Sequence, residues 1–141
     1  MQNITSFIST IILAAISAIH IYWAFGGKWA TNAVIPQTNN DKFVFQPGIV
    51  ATLLVAAVFA VAMLLPLAVL GVNFLGISPK ILRGGIAATA IVFGLRAMGD
   101  FHYVGLFKKI KNTSFARNDT RYYTPLCLLV SALNTAIYFY L

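Results

Sequence analysis

The stretch FVFQPGIVATLLVAAVFAVAMLLPLAVLGVNFLGISP, residues 43–79, lies between Lys42 and Lys80 and contains no charged residue. About 20 mostly apolar residues cross the roughly 30 Å of bilayer hydrocarbon. The run is therefore long enough for a transmembrane helix and the turn that follows it. Pro47 suits a first helical turn, where its missing N–H has no partner to lose. The predicted span runs from about Pro47 to Leu70, and Pro66 is expected to kink its far end.

Three more such segments flank it. Ile4 to about Phe25 lies in a charge-free start closed by Gly26-Gly27-Lys28, and the opening Met-Gln-Asn-Ile-Thr-Ser has no basic n-region, so it reads as a retained span rather than a signal peptide. Ile81 to about Gly99 is charge-free only from Gly84 to Leu95, with Arg83 and Arg96 at its flanks. Tyr122 to Leu141 has no charge after Arg121. The expected fold is all-α: one polytopic transmembrane domain over residues 1–141, a four-helix bundle with spans at about 4–25, 47–70, 81–99 and 122–141.

Composition agrees. Of 141 residues, 60% are hydrophobic and only 9% charged, where soluble domains run near 25% charged, and the mean hydropathy is +0.83. The acids are Asp41, Asp100 and Asp119, with no Glu, and Cys127 is the single cysteine. That excludes an internal disulfide, a CxxC redox pair and a cysteine zinc site. No HxxxH or HxxE spacing appears, so no metal and no cofactor is implied. The net charge of +7 fits cytoplasmic loops facing anionic lipid headgroups rather than nucleic acid. Loops one and three carry Lys28, Lys42, Lys108, Lys109, Lys111, Arg117 and Arg121; the opposite side has Lys80 and Arg83. This bias predicts both termini outside the cytoplasm.

Lipid gives little hydrophobic drive between helices, so small residues and interhelical hydrogen bonds must hold the bundle. Ala14, Ala15, Ser17 and Ala18 on the first span and Gly84, Gly85, Ala87, Ala88, Thr89 and Ala90 on the third are expected contacts. Cys127, Ser131 and Asn134 share one face of the fourth by i, i+4, i+7 spacing.

Ionisable groups within spans are costly and turn inward. At about 1.5 Å per residue, Arg96 lies about 20 Å from the outer anchor Arg83, Asp100 about 26 Å, and His20 about 24 Å beyond Ile4. All three share one level near the cytoplasmic face. Arg96 and Asp100 are i, i+4 neighbours able to pair. The alternative is a guanidinium left partly free to clamp a phosphate or carboxylate. Loop three, Gly99 to Lys109, reads as a segment lying on anionic headgroups; alternatively it is a lid with Gly99 and Gly105 as hinges and Lys108, Arg117 and Arg121 adding positive field. Asn39-Asn40-Asp41 is a turn signal in loop one. Trp29, Ile35 and Phe43 should lie at the membrane surface, and the sequons at Asn112 and Asn118 are chance matches in a cytoplasmic loop.

The motifs H-x-x-W-A-x-G-G-x-W (His20 to Trp29), R-A-x-G-D-F (Arg96 to Phe101, followed by Tyr103) and, after Phe115 and Asp119, Y-x-P-L-C (Tyr123 to Cys127) follow one another in this order, and the resemblance they carry extends over essentially the whole chain. The chain resembles a family of small bacterial four-span membrane proteins of unknown function. That resemblance implies a bacterial inner-membrane location and lends no activity, substrate or cofactor.

The expected ligand-binding set is His20, Trp23, Trp29, Arg96, Asp100, Tyr103, Lys108, Asp119, Tyr123 and Cys127, holding an amphipathic or anionic small molecule or lipid near the cytoplasmic face. Three alternatives stay open. One is a membrane-embedded enzyme using His20 or His102 as base, Asp100 to orient it and Cys127 as nucleophile. The others are an accessory subunit of a larger membrane complex and a small transporter, although no acid lies at mid-membrane. Whether a reaction is catalysed, and whether the chain forms a homo-oligomer, is open on the residues alone.

Overall fold

The computed structural model describes residues 1–38, 40 and 42–141. Asn39 and Asp41, two of the three residues in the loop-one turn signal, lie outside the described residues. The elements are α1 (Gln2–Ala24), α2 (Thr31–Val34), α3 (Ile49–Val69), α4 (Pro79–Met98), α5 (Ser114–Asn118), a π-helical turn (Asp119–Tyr123) and α6 (Thr124–Tyr140). Among the described residues, four helical segments are long and apolar enough to cross a membrane: α1, α3, α4 and the continuous stretch Ser114–Tyr140. Among the described residues there is no strand, only an antiparallel bridge of Gln37 with Phe43 where loop one reverses.

The four helices form an up-down bundle. α1 packs chiefly on α3, and α4 on α6; α1 also meets α6, while α3 and α4 touch only slightly. The polarity of α1 is inverted relative to a helix in water. Its buried stripe is Ser6, Ser9, Leu13, Ser17 and Ala24, whereas Ile4, Phe7, Ile8 and Ile11 face outward. In hydrocarbon the outside rewards apolar bulk, and small polar residues inside let backbones approach and exchange hydrogen bonds. Ser17 Oγ donates to the Ala56 carbonyl at 2.9 Å and Ser131 Oγ to that of Ala90 at 2.8 Å. Asn134 Nδ2 donates to Ser9 Oγ at 2.9 Å. Interhelical bonds of this kind contribute about 0.6 kcal/mol each in lipid.

Between these bonds sit two apolar clusters. Leu13, Phe93, Ala97, Cys127 and Val130 form one, flanked by Phe59 and Met63; Leu65, Ile86 and Ile137 form the other. Gly85 packs against Leu65, where a Cβ would approach the leucine to 2.8 Å. This close passage brings α4 onto α3. The helices Gln2–Ala24, Ile49–Val69 and Pro79–Met98 begin and end within two residues of the limits expected for the first three spans. The fourth is different: helix begins at Ser114 instead of Tyr122, because Thr113 Oγ1 caps Ala116 N at 3.1 Å and the chain then runs through the π turn without a break. α3 continues through Pro66 and ends one turn later, at Val69.

Candidate functional site

Asp119 is fully buried at the first residue of the π-helical turn. Its Oδ1 accepts from Arg96 Nη2 at 3.0 Å. Its Oδ2 accepts from Gly105 N at 2.8 Å, Lys108 Nζ at 3.0 Å and Thr124 Oγ1 at 3.2 Å. The π turn explains the last bond. Residues five apart on an α-helix point about 140° away from each other at 100° per residue, whereas a turn closed i to i+5 brings them to one side. Thr124 can then reach a carboxylate five positions earlier.

The i, i+4 pair of Arg96 with Asp100 is not formed. Arg96 reaches across to Asp119, and Asp100 turns to its own loop. There Asp100 Oδ1 accepts from the backbone N–H groups of His102 (2.9 Å), Tyr103 (2.7 Å) and Val104 (2.9 Å). Partial burial pushes the Asp100 carboxyl up, but the donors on His102, Val104 and Tyr103 outweigh it and hold the group below its ordinary range. Gly99 and Gly105 both have positive φ and lie back to back: a Cβ on Gly99 would overlap the Val104 carbonyl, and one on Gly105 would strike Gly99 and Met98. Leu106 N then donates to the Ala97 carbonyl at 2.9 Å, closing the end of α4.

Loop three is therefore a knot tied against α4, and its glycines are a close backbone crossing rather than the hinges of a lid. Lys108 also differs from its expected place among the surface cations. It is buried, with Nζ shared between Asp119 and the Gly105 carbonyl at 3.0 Å. Phe101, at φ 60°, stacks its exposed ring on that of Phe107, with centroids 6.0 Å apart.

Of the expected set, the structure joins Arg96, Lys108 and Asp119 directly. Tyr123 belongs to the same π turn and donates from its hydroxyl to the Ala33 carbonyl at 3.3 Å, tying loop one to loop three. Cys127 lies one turn into α6 inside the apolar cluster with Leu13 and Phe93. The residues at the end of α1 form a separate group. Trp23 Nε1 donates to the Trp29 carbonyl at 2.8 Å, Trp29 N donates to Tyr22 Oη at 3.4 Å, and Gly27 leaves room for the Tyr22 ring. Trp29 itself is exposed. His20 donates from Nδ1 to the Ile16 carbonyl at 2.7 Å, and its ring rests against Trp23 and Phe59. Tyr103 packs edge-on against His102. Neither imidazole ring has a hydrogen bond to Cys127, Asp100, Arg96 or Asp119 among the described residues, so the pairing a cysteine nucleophile would need is not assembled here.

Two partners of Asp119 lie outside the expected set: the Gly105 N–H and the Thr124 hydroxyl. A backbone donor carries no residue-type signal, and the π turn that aligns Thr124 has none either.

The cluster holds two cations, Arg96 and Lys108, against one carboxylate. Among the described residues, Arg96 Nη1 is buried without a hydrogen-bond partner, although the arginine side chain as a whole is 36% exposed. Lys108 is 5% exposed and Asp119 not at all. An apolar four-helix bundle with a charged knot at one end is the build of an integral membrane protein. The chain belongs to the family described as "Protein of unknown function (DUF3995)", whose profile matches residues 13–134. No curated protein and no solved structure matches it.

Proposed function

We propose that this protein binds an anionic amphiphile at the Arg96 end of the bundle, with the acidic head on the guanidinium and the apolar part along the helices. The observation that carries this is the imbalance at Asp119. Among the described residues, one carboxylate faces two cations, and one arm of Arg96 has no hydrogen-bond partner. A guanidinium presents a planar fork of donors suited to a phosphate or carboxylate, and leaving part of it unmet in a dry site is costly. A ligand oxygen at Nη1 removes that cost and balances the charge.

The reading includes a bacterial inner-membrane location with both termini outside, supported by the loop charge bias. Exposed Lys109, Lys111, Arg117 and Arg121 then face anionic headgroups on the same side. Trp29, Phe101 and Phe107 lie at that interface as exposed rings. His20, Trp23, Tyr103, Tyr123 and Cys127 flank the site in this reading without contacting the head.

The test is native mass spectrometry of protein purified in mild detergent, comparing wild type with Arg96→Lys. Lysine can keep the ion pair with Asp119 and the charge but loses the second arm. A stoichiometric acidic adduct present on wild type and absent from a folded Arg96→Lys supports binding. The same adduct retained on Arg96→Lys, or no adduct on either, removes the role given to Nη1.

A further inference from the structure

A second polar cluster lies near the opposite end of the bundle. Ser6, Ser9 and Asn134 are all fully buried. Asn134 Nδ2 is satisfied twice, by Ser9 Oγ and by the Val130 carbonyl, each at 2.9 Å. Asn134 Oδ1 and Ser6 Oγ have no hydrogen-bond partner among the described residues. A buried serine in a helix ordinarily bonds the carbonyl four residues back. For Ser6 that is the Gln2 carbonyl, which already accepts from Thr5 Oγ1 at 2.8 Å. Rotating the Asn134 amide does not help, because it exchanges an orphaned oxygen for an orphaned nitrogen. In this arrangement neither group finds a partner among the described residues.

We infer that a single ordered water bridges Asn134 and Ser6, forming an internal hydration site between α1 and α6. Ser6 lies one turn before Ser9, which Asn134 already contacts, on the same buried stripe of α1, so a water there that donates one hydrogen to Asn134 Oδ1 and accepts from the Ser6 hydroxyl would serve both unmet groups. Polar surroundings with two to four partners are what a buried water requires, and in hydrocarbon the alternative is two unmet polar groups. Water is favoured over a cation because the cluster's own side chains are neutral; the acidic side chain of Asp119, before the start of α6, is roughly 20 Å away at 1.5 Å per residue. Ser6 lies about 6 Å from the start of α1 by the same rise, so the site is within reach of the aqueous face.

The sign of one substitution tests this. With a bridging water, Ser6→Ala removes a water partner and lowers the thermal midpoint of the purified full chain by about 2 to 4 °C. Without it, Ser6→Ala deletes an unsatisfied buried hydroxyl, and the midpoint stays level or rises, which overturns the site. Asn134→Leu supplies the control. In that background the water has lost its main acceptor, so Ser6→Ala should no longer lower the midpoint; an equal fall in both backgrounds overturns the bridge.

Discussion

The two buried polar clusters solve the same problem by different means. Around Asp119 a full charge is taken out of water, and helix side chains alone do not suffice: the chain folds a loop back across the end of α4 to deliver the Gly105 N–H and the Lys108 ammonium. Around Asn134 the groups are neutral, and the helices meet the demand with side chains from α1 and α6, short of one bridging molecule. The difference follows from desolvation. An unpaired buried charge costs several kcal/mol, whereas an unmet neutral group costs about 1–3 kcal/mol. A loop knot is built where the larger cost must be offset.

Removing the carboxylate at the centre of the knot should have the largest effect. Asp119→Ala leaves Lys108 buried without its anion and is expected to destabilise the fold by about 3–5 kcal/mol, read as loss of folded protein in detergent unfolding. Asp119→Ala tolerated at wild-type stability would mean that the knot contributes little. Next comes the glycine crossing. Gly105→Ala places a methyl against Gly99 and Met98 at positive φ, so it should lower the thermal midpoint and speed amide exchange at Leu106, whose bond to Ala97 closes the loop. Unchanged exchange at Leu106 would show that the crossing yields freely.

Arg96→Lys should be milder in stability, within about 1 kcal/mol, because an ion pair of the same sign survives. Its effect falls on binding. The smallest expected change is at Asp100. Its carboxyl titrates below the ordinary value near 3.9, so its contribution to loop order is present above that value and is lost as pH falls through the lower folded value. Hydrogen exchange at His102, Tyr103 and Val104, corrected for its intrinsic pH dependence, should stay protected down to about pH 4 and lose protection below it. Protection that fades while pH is still near 6 would assign the loop's order to another group.

The bundle was legible because charge-free length and the residues that end it are one-dimensional signals. The fourth helix was read eight residues short for a physical reason. Residues 108–121 are rich in Lys, Arg and Asn and look like a solvated loop, yet Lys108 and Asp119 neutralise one another inside, and Thr113 starts a helix. The residues of the charged cluster were recognisable as costly groups at one depth, but their pairing was not. Spacing favoured Arg96 with Asp100, a neighbour one turn away. The structure instead joins residues 23 positions apart, because backbone N–H groups of a tight turn claim Asp100 first. The Trp23 and Trp29 motif illustrates the same limit: two tryptophans six apart read equally as ligand walls or, as their geometry shows, as a local clasp on the end of α1.

A thermal-shift titration in lipid nanodiscs tests the binding role of Arg96 most directly, using a phospholipid with an exposed phosphate head against a zwitterionic one of the same chains. If the free arm of Arg96 holds an anionic head, wild type gains stability with the anionic lipid, approaching about 2.7 kcal/mol at a hundredfold excess over Kd, and Arg96→Lys loses most of that gain while keeping its midpoint in zwitterionic lipid. Equal shifts in wild type and Arg96→Lys, or no difference between the two lipids, would contradict an anion site there and leave Arg96 as a structural partner of Asp119 alone.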